Sequence, residues 1–216
     1  MLEYILFDLD GTLTDSAEGI TKSVDYALRQ VVGIETDDLS TLKGYIGPPL
    51  TAGFMENHGL DEATALRCRD VYRSRYEKIG LFENKVYDGV PEMLETLHKA
   101  GRTLLVATSK PEIFARRILE HFNLAGYFSE IVGATMDGSI DAKDEVIAEA
   151  LRRLHHPAPD RVLMVGDRHH DIDGARKNGL PVLGVLYGFG SAEEMQQADA
   201  IAATPQEAAQ IILNWR

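Results

Sequence analysis

Short, unbroken apolar runs alternate along most of this chain with segments whose apolar residues recur every three or four positions. The runs fall at residues 4–9, 103–107, 130–132, 162–165 and 182–186, and each predicts a buried strand. Between them, residues 91–99, 113–121 and 143–154 carry helical spacing. Alternation of this kind predicts an α/β fold, a Rossmann-like parallel sheet covered on both faces, in which ligands bind beyond the carboxyl ends of the strands. Asp8, Thr108 and Asp167 each lie at or just past such an end, so positions far apart in sequence are expected to meet in one crevice.

One interval breaks the alternation. Residues 16–81 contain no convincing strand but show helical patterns at 20–32, 50–58 and 61–78, interrupted by Gly33, by residues 44–49 and by Gly59. A small helical bundle inserted after the first strand is expected, with residues 1–15 and 82–216 forming the α/β core and 16–81 the insert. The stretch 87–91 reads as the return to the core, with Pro91 suited to the first turn of a helix.

A chain of 216 residues with a formal net charge of −12 and no basic stripe is not expected to bind a nucleic-acid polymer. The single cysteine, Cys68, cannot form an internal disulfide and sits where a buried small thiol is expected, which suits a reducing cytoplasmic location. No apolar run approaches the ~20 residues of a membrane span. The first strand begins within a few residues of Met1, leaving no room for a signal peptide, so a soluble protein is expected.

The candidate chemistry is concentrated in residues 6–15, LFDLDGTLTD. Strand side chains alternate faces, so Asp8 and Asp10 are expected to point the same way from the end of a buried strand. Two adjacent carboxylates repel, and a divalent cation, a shared proton or both would offset them. Gly11 and Thr12 then turn the chain. Three later segments carry further candidates: VATSKP at 106–111, DAKDEVI at 141–147 and VGDRHHDIDGARKNG at 165–179. A hydroxyl residue at a strand end, followed by a helix opening near Pro111 and Glu112, aims free backbone N–H groups at an anion. Capping of that helix by Thr108 or Ser109 is the lesser alternative, and capping by Ser109 is compatible with anion binding by Thr108. Lys143 opens a helix, where a cation is unfavourable by about 0.3–1 kcal/mol unless an anion lies nearby. Asp171 either caps the helix running into Ile172 or orients a metal shell.

These four segments, in this order and spacing, resemble the haloacid dehalogenase superfamily of phosphohydrolases, in its phosphoglycolate phosphatase and 5′-nucleotidase-like branch. The resemblance covers nearly the whole chain and implies that the 16–81 insert is a helical cap. It also implies a magnesium-dependent phosphomonoester hydrolase acting through an aspartyl-phosphate on a small phosphorylated metabolite. By that resemblance Asp8 is the nucleophile, Asp10 the general acid and base, and Thr108 and Lys143 catalytic. Gly11, Thr108, Ser109 and Lys143 bind phosphate. The metal set is Asp8, the main-chain carbonyl of Asp10, and Asp167, with Asp171 behind it. Asp10 argues against dehalogenation, where a departing halide needs no acid. Ile20 stands near the position where sugar phosphate mutases carry a cap histidine, which argues against an isomerase. A non-catalytic binding module is disfavoured because Asp8, Asp10, Lys143 and Asp167 are all present. Phosphoglycolate leads as substrate, ahead of a nucleoside 5′-monophosphate and of phosphotyrosine.

Three features stand outside that set. The pairs His155-His156 and His169-His170 lack a third nitrogen or sulfur ligand nearby in sequence, so zinc is not expected. Gly188-Phe189-Gly190 lacks the third glycine of a dinucleotide loop and reads as a turn lining the core. The segment 43–49 offers Tyr45, Gly47 and Pro48 as candidate specificity residues in a loop that would close over the leaving group, although sequence alone favours a plain helix connection.

Overall fold

The computed structural model describes residues 2–215. Two compact units partition the chain: Met1–Asp15 with Val86–Arg216, and Ser16–Lys85.

The first unit is built on a six-stranded parallel sheet. Its strands are β1 (Tyr4–Phe7), β4 (Thr103–Pro111), β5 (Phe128–Ala134), β6 (Val162–Gly166), β7 (Val182–Val185) and β8 (Ala200–Ala202), in the order β5-β4-β1-β6-β7-β8. The strands β2 (Thr14–Asp15) and β3 (Lys85–Val86) are short segments flanking the insert. In β1, Ile5, Leu6 and Phe7 have no exposed surface, which is why this strand sits mid-sheet, with Leu6 in register with Leu105 on one side and Met164 on the other. Helices α4 (Val90–Lys99), α5 (Glu112–His121), α6 (Lys143–Arg153), α7 (His169–Lys177), α8 (Ala192–Met195) and α9 (Pro205–Leu213) complete the unit. Val146, Ile147 and Ala150 of α6 and Ile172 and Ala175 of α7 pack into one cluster with Leu105, Val132 and Met164 of the sheet.

Departures from the periodicity have local causes. Strand β8 escapes a hydropathy reading because it is an edge strand of three residues, of which only Ala202 is buried. Strand β4 runs four residues past Ala107, through a register shift between Thr108 and Pro111, so α5 starts at Glu112. Neither Thr108 nor Ser109 caps that helix.

In the second unit, α1 (Ala17–Val32) buries Ile20, Val24, Ala27 and Leu28, the 3–4 spacing seen in sequence, and ends on Gly33 at φ +72°. A 3-10 turn at Leu39–Tyr45 follows, then α2 (Leu50–His58) and α3 (Glu62–Arg75), whose N-terminus is capped by Asp61 accepting from Thr64 N–H at 3.0 Å. The helix expected over 61–78 stops at Arg75 and continues as a π turn, Tyr76–Gly80. Residues 82–85 belong to this unit rather than to the core, because Glu83 accepts from Arg75 at 2.8 Å and its carbonyl from Gly19 N–H at 2.9 Å. The boundary therefore lies at Val86, not at residue 82.

Tyr45 does not serve as a displayed specificity residue. Its ring is 3% exposed, lies 5.0 Å from that of Phe54, and its hydroxyl meets His58 Nδ1 at 2.7 Å, so the side chain is spent on packing the insert itself. Gly47 is exposed and Pro48 half-buried.

Candidate active site

The carboxyl ends of β1, β4 and β6 place the candidate residues together. Strand β1 ends at Phe7, and Asp8 follows it with its N–H still donating to Val165 O at 2.9 Å. The chain then closes a tight turn: Leu13 and Thr14 N–H both donate to Leu9 O, Gly11 N–H donates to Thr14 O, and Gly11 adopts φ +88°. A Cβ at Gly11 would be strained at that φ and would also overlap the Asp167 carboxylate.

The turn corrects the expectation that Asp8 and Asp10 share one strand face. Asp10 lies in the turn, bridged to Thr14, and the two carboxylates are held by different lysines. Lys143 Nζ sits 2.8 Å from Asp8 Oδ1, 2.8 Å from Asp171 Oδ1 and donates to Ala107 O at 3.1 Å. Lys110 Nζ lies 2.9 Å from Asp10 Oδ2. Lys143, at the start of α6, therefore has the anionic neighbours its position calls for. Burial alone would lower its pKa, but the Asp171 and Asp8 carboxylates outweigh that and hold the ammonium well above the usual lysine value.

Carboxylate oxygens of Asp8, Asp167 and Asp171 lie within 4.8 Å of one another, all buried. Asp171, expected behind the metal shell, thus stands inside the acidic cluster, while the Asp10 carboxylate does not. Asp171 sits in the first turn of α7 rather than ahead of it, and its Oδ2 accepts from Arg168 N–H at 3.0 Å. Gly166 makes room for it, since a Cβ there would overlap the Asp171 carboxylate. Asp167 has no exposed surface; its Oδ1 accepts from Thr12 Oγ1 at 3.2 Å and its Oδ2 from Phe189 N–H at 2.7 Å. Burial, then Asp171 and Asp8, push its carboxyl up to about 8.

The three clustered carboxylates (Asp8, Asp167, Asp171) share one lysine, Lys143, a formal excess of two negative charges among oxygen donors alone. That donor set fits a hard divalent cation. Thr108 is 2% exposed, next along β4 from the carbonyl that Lys143 binds, and its Oγ1 accepts from Lys110 N–H at 3.2 Å. Ser109 is half-buried beside it.

Two parts of this arrangement were missed in sequence. Lys110 carries no role in the sequence reading, although its place two residues past Thr108 at a strand end is a usable signal. Gly188-Phe189-Gly190, read as a turn lining the core, packs on Asp167, a contact with a site residue that the sequence does not show. The histidine pairs form no metal cluster among the described residues, and no helix there is long and apolar enough to cross a membrane.

The model of the haloacid dehalogenase-like hydrolase family matches residues 5–185. The chain is 50% identical over 192 residues to a 5′-nucleotidase of Pseudomonas aeruginosa, covering 89% of this chain and 86% of the relative. It is 41% identical over 203 residues to tyrosine-protein kinase PtkA of Mycobacterium tuberculosis, covering 94% and 68%. To a phosphoglycolate phosphatase of Vibrio vulnificus it is 31% identical over 206 residues, covering 92% and 90%. A crystal structure described as a predicted phosphatase from Clostridium acetobutylicum superimposes with a TM-score of 0.94 at 49% identity, covering 99% of each chain. With its acidic cluster and paired lysines at the ends of a six-stranded parallel sheet, this chain belongs to the haloacid dehalogenase-like hydrolases.

Proposed function

We propose that this protein hydrolyses phosphomonoesters of small cytoplasmic metabolites through an aspartyl-phosphate on Asp8. The observation that carries the reading is Asp8 itself: a buried carboxylate at the end of the central strand, oriented by Lys143 and clustered with Asp167 and Asp171. Asp8 attacks phosphorus in line, and the departing ester oxygen takes a proton from Asp10. Water then attacks the aspartyl-phosphate, returning a proton to Asp10 and releasing phosphate. Thr108 and Ser109 near the end of β4, together with Lys143, hold the phosphoryl oxygens, while Gly11, whose N–H is donated to Thr14 O, shapes the turn beside them. Lys143 also fixes Asp8 through the two-carboxylate contact, and Lys110 holds Asp10. Asp8, Asp167 and the Asp10 main-chain carbonyl, with Asp171 alongside, would hold a magnesium ion, whose positive charge would let two anions approach each other.

Nucleoside 5′-monophosphates move ahead of phosphoglycolate as the substrate class, supported by the 50% identity to a protein named 5′-nucleotidase against 31% for one named phosphoglycolate phosphatase. Phosphate release across a panel of nucleotides, phosphoglycolate, phosphotyrosine and p-nitrophenyl phosphate tests this. A preference of kcat/KM for nucleotides supports the assignment, and a preference for phosphoglycolate reverses it. Since the core residues touch only the phosphoryl group common to all esters, discrimination is left to the insert. Pro48→Ala or Gly47→Ala is expected to change the ratio of kcat/KM between natural esters more than it changes hydrolysis of p-nitrophenyl phosphate. Uniform loss across the panel assigns residues 43–49 to the connection alone.

Metal dependence follows with a definite pH sign. Activity is expected to vanish with EDTA and return with magnesium, calcium supporting it poorly. Without metal, the raised Asp167 pKa means that the folded state binds more protons than the unfolded one between the ordinary carboxylate range and about 8. The metal-free protein should therefore lose stability as pH rises through that window. A cation must displace this proton, so magnesium affinity should increase from pH 6 to pH 8, with proton release visible by calorimetry in buffers of different ionisation enthalpy. Full turnover in a verified metal-free sample contradicts the assignment.

A further inference from the structure

The loop after β7 carries no role in the reaction described so far, yet it packs against Asp167 and its neighbours. Phe189 N–H donates to Asp167 Oδ2 at 2.7 Å. A Cβ at Gly188 would overlap Gly11 O and the Asp167 side chain, and one at Gly190 would overlap the Asp167 carbonyl. The loop therefore lies flush against both the Asp10-Gly11 turn and Asp167, at a distance that only glycine allows.

Both ends of the loop are anchored. At its start Leu186 N–H donates to Ala202 O at 3.0 Å. At its far end the Glu194 carboxylate accepts from Arg168 Nε at 3.0 Å and from His169 N–H at 3.1 Å, while Ser191 Oγ accepts from Glu194 N–H at 3.2 Å. The segment 186–194 thus grips three consecutive residues: Asp167, Arg168 and His169. With Thr12 Oγ1 on the other oxygen, each Asp167 oxygen accepts one hydrogen bond and retains a lone pair.

We propose that Gly188-Phe189-Gly190 is a positioning element for magnesium, holding the Asp167 carboxylate in its ligating orientation through the Phe189 N–H. The inference rests on the metal-dependent reading above. A buried carboxylate fixed by donors on both oxygens pays its orientational entropy before the ion arrives, and loss of such supporting contacts weakens metal binding without removing a ligand. The glycines matter only because they bring that N–H within reach.

The test is direct magnesium calorimetry on the purified protein at pH 8, read as binding rather than turnover. Phe189→Pro removes the donor, whereas Phe189→Leu keeps it and changes only the side chain; Gly190→Ala displaces the loop. The proline and alanine variants are expected to bind magnesium about 10–100-fold more weakly, with the leucine variant close to wild type. Hydrogen exchange at the Phe189 amide of the wild-type protein is expected to be slow with and without magnesium. A folded Phe189→Pro or Gly190→Ala protein with wild-type affinity overturns the proposal, as does equal weakening in Phe189→Leu. Should the proline variant not fold, rapid exchange of the wild-type Phe189 amide overturns it independently. Absence of magnesium uptake by the wild-type protein instead overturns the metal reading, which separates the two failures.

Discussion

Replacing Asp8 with Asn is expected to lower turnover by at least about 10⁴-fold while leaving the fold intact. Asparagine keeps nearly the shape of the side chain but removes the charge that attacks phosphorus in the proposed route. The fold should tolerate it because Lys143 remains ion-paired with Asp171 and hydrogen-bonded to Ala107 O. The change also withdraws one of the carboxylates that oppose ionisation of Asp167. The metal-free variant should therefore melt no lower than wild type at pH 8, where that repulsion is greatest. Phosphate release and thermal melting check the two halves of the expectation. A folded Asp8→Asn protein retaining turnover within about tenfold of wild type would remove the covalent route, since no other group at the end of β1 replaces the nucleophile. Beryllium fluoride with magnesium should bind the wild-type site as an analogue of the phosphorylated aspartate and fail to bind the variant.

The parts of this arrangement that were legible in sequence are those whose signal is local and strongly periodic. Strand β1 is apolar on both faces because it is central, and Asp8 stands out as the first polar residue after it. The insert announced itself by a change of period from strand to helix, and Gly33 and Gly59 marked two helix ends, at φ +72° and +63°. Lys143 was visible because it violates helix electrostatics, and the structure supplies the carboxylates that offset the violation.

What sequence did not disclose depends on contacts between distant segments. Which lysine pairs with which aspartate follows from the tight turn at Gly11, which carries Asp10 off the strand and towards Lys110. Asp171 enters the acidic cluster because Gly166 has no side chain, a relation between two residues on successive elements. Tyr45 misled for a similar reason: in a loop rich in glycine and proline an aromatic ring looks displayed, but Phe54 and His58, later in the chain, supply the packing that buries it. The Gly188–Gly190 turn was judged against a dinucleotide fingerprint, when its glycines answer to the bulk of Asp167 instead.

The largest effect on stability is expected from Lys143→Met. The methionine stem can follow the lysine stem past Gly174, so the change mainly deletes the charge. Asp8, Asp167 and Asp171 are then left with oxygens within 4.8 Å of one another and without the ammonium that neutralises two of them. Breaking one partner out of a buried ion pair costs about 3–5 kcal/mol, far more than a surface pair of ~0–1 kcal/mol. The sign of the pH dependence follows from what the cluster does in response. Carboxylates without their cation retain protons in the folded state at pH values where the unfolded chain has released them. Their stabilising proton uptake is therefore present at low pH and lost as pH rises. The destabilisation should be smaller at pH 5 than at pH 8, measured as the shift in urea midpoint at constant m value. Millimolar magnesium should recover part of the loss at pH 8 by supplying the missing positive charge, yet turnover should stay low, because Lys143 also contacts Asp8 and, in the proposed route, holds the phosphoryl oxygens. Equal stability of variant and wild type at pH 8 without metal would mean that the cluster is neutralised some other way, and the account of Lys143 as its counter-charge would fail.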